Sequence, residues 1–123
     1  MIGRVRSTPA QSSGDGAEEA AVRLLERHGL EVIARNYRTR FGEIDVIARD
    51  GATLVFVEVR MRSSARFGGA LASIGQRKRA RIAAAARQYL ARLAYEPACR
   101  FDVVAMEDGA AAPTWLRGAF ETA

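Results

Sequence analysis

The stretch GEIDVIARDGATLVFVEVR, residues 42 to 60, constrains this chain more than any other. Two apolar, β-branched runs flank Asp50-Gly51, a strong signal for a two-residue hairpin turn. With Asp50 and Gly51 at the central positions, Arg49 pairs with Ala52, Ile47 with Leu54, Asp45 with Phe56 and Glu43 with Glu58. Because strand side chains alternate faces, Ile44, Val46, Ala48, Val55, Val57, Val59 and Met61 then share one face, which is wholly apolar and reads as core. The other face carries Glu43, Asp45, Ile47, Leu54, Phe56, Glu58 and Arg60. It is apolar beside the turn and charged away from it, so a second element must cover the turn end while the carboxylates gather at the other. Asp45 and Glu58 become diagonal neighbours about 7 to 8 Å apart, within joint reach of one cation.

The rest of the chain supplies the cover. Residues 1 to 14 are rich in Ser and Gly without periodicity and read as a flexible tail, leaving one folded domain over 15–123. Ala17, Ala21, Leu24, Leu25 and His28 recur at helical spacing before a Gly29 stop, and Leu30 to Tyr37 reads as a short strand. After the hairpin comes a basic, glycine-containing loop over 62–73. A second helix follows from Gln76 to Leu93, with Ile82, Ala86, Tyr89, Leu90 and Leu93 on its apolar stripe. Cys99 to Met106 reads as a buried strand, Asp108-Gly109 as a turn and Thr114 to Phe120 as an edge strand. Helix, three strands, helix, strand predicts an α/β fold, a mixed sheet flanked by helices, because the long helix permits a parallel crossover.

Charge narrows the partners. The net charge of +5 favours a polyanion, with nucleic acid ahead of a membrane surface because no basic amphipathic segment exposes large apolar residues. The second helix has Arg77, Lys78, Arg79, Arg81, Arg87 and Arg92 and no acid, so part of its surface is positive throughout. No apolar run approaches membrane-spanning length and no secretory signal is apparent. A single cysteine cannot form an internal disulfide, so a soluble protein of a reducing cytoplasm is expected.

Close carboxylates are costly to bury unless protons, bases or a metal neutralise them. An oxygen-only set suits Mg²⁺ or Mn²⁺, whereas one histidine and one cysteine exclude a zinc cluster. The competing reading puts Glu43 and Asp45 on a solvated face, with Glu58 paired to Arg60 or Arg62. Against it, Ile47, Leu54 and Phe56 share that face and call for cover. Glu18 also has two readings: Asp15-x-x-Glu18 has capping-box spacing, yet Glu18 shares a helix face with Ala21, Val22 and Leu25 and could point at the charged end of the sheet. Lys78 heads the inward stripe of the second helix, four residues before Ile82, while Arg77, Arg79 and Arg81 spread outward.

The succession of an early helical glutamate, GEIDVIA, VFVEVR with Arg62, the FGGA loop, a lysine-bearing helix and CRFDVVA resembles the YraN-like family of small bacterial proteins, from Asp15 to about Phe120. That family is similar to Holliday junction resolvases of the PD-(D/E)XK nuclease superfamily. The resemblance implies a restriction-endonuclease-like αβββαβ core and a Mg²⁺- or Mn²⁺-dependent endonuclease acting on DNA, branched or structured DNA in particular. By position, Asp45 and Glu58 match the metal-binding carboxylates, Glu18 the helical acid, Arg60 the motif's lysine and Lys78 the helix-two basic residue, with Glu43 as a secondary ligand. Arg62, Arg66, Arg77, Arg79 and Arg81 would grip the DNA backbone, and paired cuts would call for a homodimer. Two departures stand out. Ile44 replaces the motif proline, and Arg60 replaces a lysine with a group that stays protonated and cannot act as a base. The alternative is therefore a nuclease fold that binds nucleic acid without cutting it.

Overall fold

The computed structural model describes residues 12–62, 74–107 and 112–121. Helix α1 (Ser12–Arg27) leads into three consecutive antiparallel strands, β1 (Glu31–Arg38), β2 (Glu43–Asp50) and β3 (Thr53–Arg62). Helix α2 (Gln76–Leu90) lies between β3 and β4 (Cys99–Glu107), which run parallel to each other, and β5 (Thr114–Phe120) closes the edge antiparallel to β4. The spatial order β1-β2-β3-β4-β5 follows the chain. A parallel pair needs a long crossover, and α2 belongs to it. The result is the expected mixed α/β sheet flanked by helices, consistent with a restriction-endonuclease-like core. No helix of the described residues is long and apolar enough to cross a membrane.

The two faces of the sheet pack separately. On one, Ile82, Ala85, Ala86 and Tyr89 of α2 meet Ala34, Ile44, Ile47, Leu54, Phe56 and Val103. On the other, Ala21, Val22, Leu24 and Leu25 of α1 meet Val46, Ala48, Val55, Val57 and Val104. Each such large side chain contributes on the order of 2 kcal/mol when removed from water. The cover expected over Ile47, Leu54 and Phe56 is therefore α2.

Three expectations need correcting. First, the hairpin closes at Asp50↔Thr53, with Ile47 opposite Phe56 and Arg49 opposite Leu54. Gly51, at φ +62, takes the first central position, and Ala52 keeps negative φ. That is the signature of a type II′ turn, in place of the type I′ turn that Asp50-Gly51 suggested. The shift is two residues, an even number, so the division into faces largely survives. Second, Ile44 joins the α2 cluster instead of staying with Val46. Ile44 and Ile47 lie three residues apart on one face, as do Ala34 and Tyr37 on β1, and a regular pleat of period two cannot do this. The interruption falls where Asn36 and Asp45 face each other, between the pairs Arg35↔Val46 and Tyr37↔Ile44. Asn36 has φ +53, the left-handed conformation that asparagine tolerates better than most residues. Third, Met61 is exposed rather than core.

The helix boundaries also moved. Helix α1 begins at Ser12, so Asp15 is inside the helix and the capping-box reading of Asp15 and Glu18 does not hold. Residues 1–11 of the expected tail and the Asp108-Gly109 turn lie outside the described residues.

Helix α2 approaches β2 so closely that a Cβ on Gly42 would sit 2.4 Å from the Arg81 backbone oxygen. A backbone obstacle cannot rotate away, so Gly42→Ala should lower stability by about 1–3 kcal/mol in denaturant unfolding. Gly16→Ala, on α1 with nothing within 4 Å of the added carbon, should be neutral or slightly stabilising.

Candidate active site

The open end of the β2–β3 hairpin is where the ladder stops. Its last pair is Val46↔Val57, and Asp45 and Glu58 are the next residues of the two strands beyond it. The two carboxylates are close enough for the Glu58 charge to raise the Asp45 carboxyl. Like charges this near are destabilising, so a sequence that places them there needs compensation.

The compensation is specific. Asp45 Oδ2 accepts a hydrogen bond from the backbone N–H of Val59 at 2.8 Å, which ties the aspartate across to β3. Glu58 is 5% exposed. Its Oε2 lies 3.4 Å from Arg60 Nη1 on the same strand and 3.6 Å from Lys78 Nζ on α2. Lys78 arrives from an end of the helix that carries no acid in its first turn, with Gly75 at the cap offering no side-chain hydrogen bond. The positive helix terminus and the lysine therefore act in the same direction on Glu58. Asp45 is half-buried, and its carboxyl is pushed up to about 8. Burial is the main cause, the Glu58 charge next, with Glu43 and Glu18 adding to it and the Val59 hydrogen bond opposing.

Glu18 on α1 is buried, but its Oε1 is already held by Arg35 Nη2 at 3.1 Å and Asn36 Nδ2 at 3.0 Å. Arg35 also bridges to Glu19 at 2.9 Å. Glu43 forms a half-exposed ion pair with Arg38 at 3.5 Å, so the competing reading fits Glu43 and, in the Glu58–Arg60 pair, Glu58 as well, while failing for the half-buried Asp45. Arg77 and Arg81 are exposed, as expected of outward positions. Arg79 is not outward: its Nε donates to the Ile74 carbonyl at 3.0 Å and its guanidinium lies 5.2 Å from the centre of the Phe120 ring. The Arg62 side chain and Arg66 lie outside the described residues.

Sequence reasoning missed Arg35 and Asn36, which fasten Glu18 beside the pleat interruption. It also missed Asp102, fully buried and bonded to Arg100 Nε at 3.0 Å, Trp115 Nε1 at 3.0 Å and the Gly118 N–H at 2.9 Å. Asp102 sits where the β4–β5 register shifts between Phe101 and Val103 and pairs along β4 with Val57, on the α1 side of the sheet. It serves the edge strand rather than the Asp45–Glu58 pair.

Among the described residues, no three of His, Cys, Asp and Glu come together as a metal-holding group. Of the four carboxylates expected from the sequence, Glu18 is held by Arg35 and Asn36 and Glu43 by Arg38, while Asp45 and Glu58 share the open end of the hairpin. Two carboxylates still fit Mg²⁺, which is commonly held by one or two of them with waters and substrate phosphate completing the shell. The elevated Asp45 carboxyl fits as well, since burial first and the neighbouring Glu58 charge next both disfavour its ionised form, and a cation would offset them.

A family model described as "Uncharacterised protein family UPF0102" matches residues 17–106, which include α1 from Ala17, the whole hairpin, α2 and most of β4. The chain belongs to the UPF0102 family. It is 54% identical to a UPF0102 protein of Cupriavidus taiwanensis over 113 residues, covering 90% of this chain and 84% of that one. A UPF0102 protein of Janthinobacterium sp. is 48% identical over 114 residues, with 93% and 91% covered. One from Bordetella avium is 51% identical over 120 residues, with 97% and 81% covered. The UPF0102 family match contains Asp45, Glu58, Arg60 and Lys78 together.

The Asp45 carboxyl gives a signed pH prediction. With its ordinary value of 3.8 raised to about 8 in the folded state, the native protein holds a proton that the unfolded chain releases. The associated stability is fully present below pH 4 and is lost as pH rises towards 8. In EDTA, Asp45→Asn should flatten the pH 4–8 decline of Tm and, at pH 8.5, raise Tm by about 4 °C or more over wild type. An unchanged profile in calorimetry would contradict the placement of this carboxyl.

Proposed function

We propose that the protein is a Mg²⁺-dependent endonuclease that hydrolyses phosphodiester bonds in branched or structured DNA in the cytoplasm. The observation that carries the reading is the Asp45–Glu58 pair itself: two carboxylates at the open end of a central hairpin, with Lys78 and Arg60 against the more buried one. A packed sheet has no structural use for that pair, and the adjoining surface bears Arg77 and Arg81. Perturbed carboxylates beside a basic surface suit a site for a phosphate and its cation.

In this reading Asp45 and Glu58 hold Mg²⁺, or Mn²⁺ in its place. The bound ion supplies a Lewis acid and lowers the pKa of a water nucleophile. Arg60 and Lys78 turn from Glu58 towards the scissile phosphate and stabilise the charge that develops on its oxygens. Arg60 stays protonated and acts electrostatically, not as a base. Arg77 and Arg81 hold the neighbouring backbone without reading bases. Paired cuts across a branch would use a homodimer, one centre per strand.

A second reading, binding without cutting, is favoured by the double neutralisation of Glu58: a carboxylate with two cations against it has less need of a metal. One experiment separates the two. Labelled duplex, single-stranded, flap and four-way-junction DNA are incubated with wild type and Asp45→Asn in Mg²⁺, Mn²⁺ or EDTA. The nuclease reading expects metal-dependent cleavage, strongest on branched substrates, and a loss of at least about 100-fold in Asp45→Asn. Binding without turnover under every metal condition selects the second reading.

A further inference from the structure

The turn joining β1 to β2 is built more rigidly than a solvent-exposed connection requires. Thr39 Oγ1 accepts from the N–H groups of Phe41 at 3.0 Å and Gly42 at 3.1 Å and donates to the Gly42 carbonyl at 3.0 Å, while the Thr39 N–H donates to the same carbonyl at 2.8 Å. Gly42 is pressed against the Arg81 backbone, as described above. What this scaffold presents is Phe41, 43% exposed, with the Arg40 guanidinium 5.3 Å from its ring centre. Phe41 is thus an aromatic ring held open to solvent on a braced turn. Beside it is an open cavity of about 480 Å³, lined by Tyr37, Arg38, Thr39, Arg40, Phe41 and Gln88.

The position of this feature relative to the carboxylates is fixed by α2. Lys78, which touches Glu58, Arg81, which touches Gly42, and Gln88, which lines the cavity, follow at intervals of three and seven residues. They therefore form one stripe along the helix, about 15 Å long. Phe41 precedes Asp45 by four residues, so the chain between them spans at most about 13 Å. Both distances correspond to a few nucleotides of backbone.

We propose that Phe41 is a stacking platform for an unpaired nucleobase, with Arg38 and Arg40 on the adjoining phosphates, so that the substrate of the carboxylate site is nucleic acid carrying an unpaired segment a few nucleotides from the cut. The ring takes the base and the guanidinium beside it takes the backbone. Together they recognise single-stranded character without reading sequence. Duplex DNA, whose bases are stacked on one another, gains nothing from Phe41. The inference rests on the nuclease reading for the cut and its distance, whereas the stacking of an unpaired base on Phe41 stands without it.

The test is a binding measurement in EDTA, separate from any cleavage. Fluorescent oligonucleotides carrying 2-aminopurine in a 12-nucleotide single strand, in the gap of a gapped duplex and in an intact duplex are titrated with wild type, Phe41→Ala and Phe41→Trp. The expected result is quenching of 2-aminopurine in the single strand and the gap but not in the duplex. Phe41→Ala should weaken binding of the unpaired probes about 10-fold while leaving duplex affinity unchanged, and Phe41→Trp should restore it. Equal affinity of wild type and Phe41→Ala for the unpaired probes overturns the proposal, as does equal weakening on duplex. Because no metal is present, the platform can fail while cleavage persists, and cleavage can fail while the platform stands.

Discussion

Two carboxylates at the open end of a β-hairpin repel each other, and much of the polar architecture around the hairpin can be read as an answer to that repulsion. Asp45 meets it with the Val59 N–H and with a carboxyl that keeps its proton to about pH 8, Glu58 with Lys78 and Arg60. The same end of the sheet draws in Glu18 from α1, which Arg35 and Asn36 hold in place. A folded domain is stable by only about 5–15 kcal/mol, so a carboxylate pair buried without these partners would be a large liability.

The apolar framework makes this arrangement tolerable. Helix α2 covers Ile47, Leu54 and Phe56, helix α1 covers Val46, Val55 and Val57, and the carboxylates sit at the margin of the α2 cover, where Lys78 reaches Glu58. The near contact at Gly42 sets the height of α2 over β2 and so brings Lys78 to Glu58. The interruption of the pleat at Asn36 and Asp45 turns Ile44 towards α2, lets Asn36 reach Glu18 and ends the regular ladder where the acids stand. Core packing and site geometry are therefore coupled through a few residues of β1 and β2, with no element of the fold devoted to the site alone.

Much of this was legible in the sequence, for identifiable reasons. Alternation of apolar residues assigned the faces of the hairpin strands, and apolar runs bounded by turn residues located the other strands of the described residues. The stretch of alanines and the Ile82–Ala86–Tyr89 stripe located α2, and the grouping of Asp45 with Glu58 followed from parity alone. The register of the hairpin did not, because Asp50-Gly51 can place glycine first or second in the turn, and only the observed Asp50↔Thr53 pairing, with no positive φ at Asp50, distinguishes them. Arg35, Asn36 and Asp102 were illegible for another reason: each acts through partners distant in the chain, and nothing local marks a strand asparagine as left-handed or an aspartate as the acceptor for an edge strand. The capping reading of Glu18 failed because α1 starts a turn earlier than its apolar stripe.

The central claim is that Asp45 and Glu58 form one electrostatic unit suited to a divalent cation. The most direct measurement is the NMR titration of the Asp45 side-chain carboxyl carbon, first in EDTA and then in 10 mM MgCl₂. The account predicts a midpoint near 8 without metal, as burial and the Glu58 charge require, and a fall of more than one unit when Mg²⁺ competes with the proton. A midpoint near the ordinary carboxylate value in EDTA, or one near 8 that Mg²⁺ leaves in place, would contradict it.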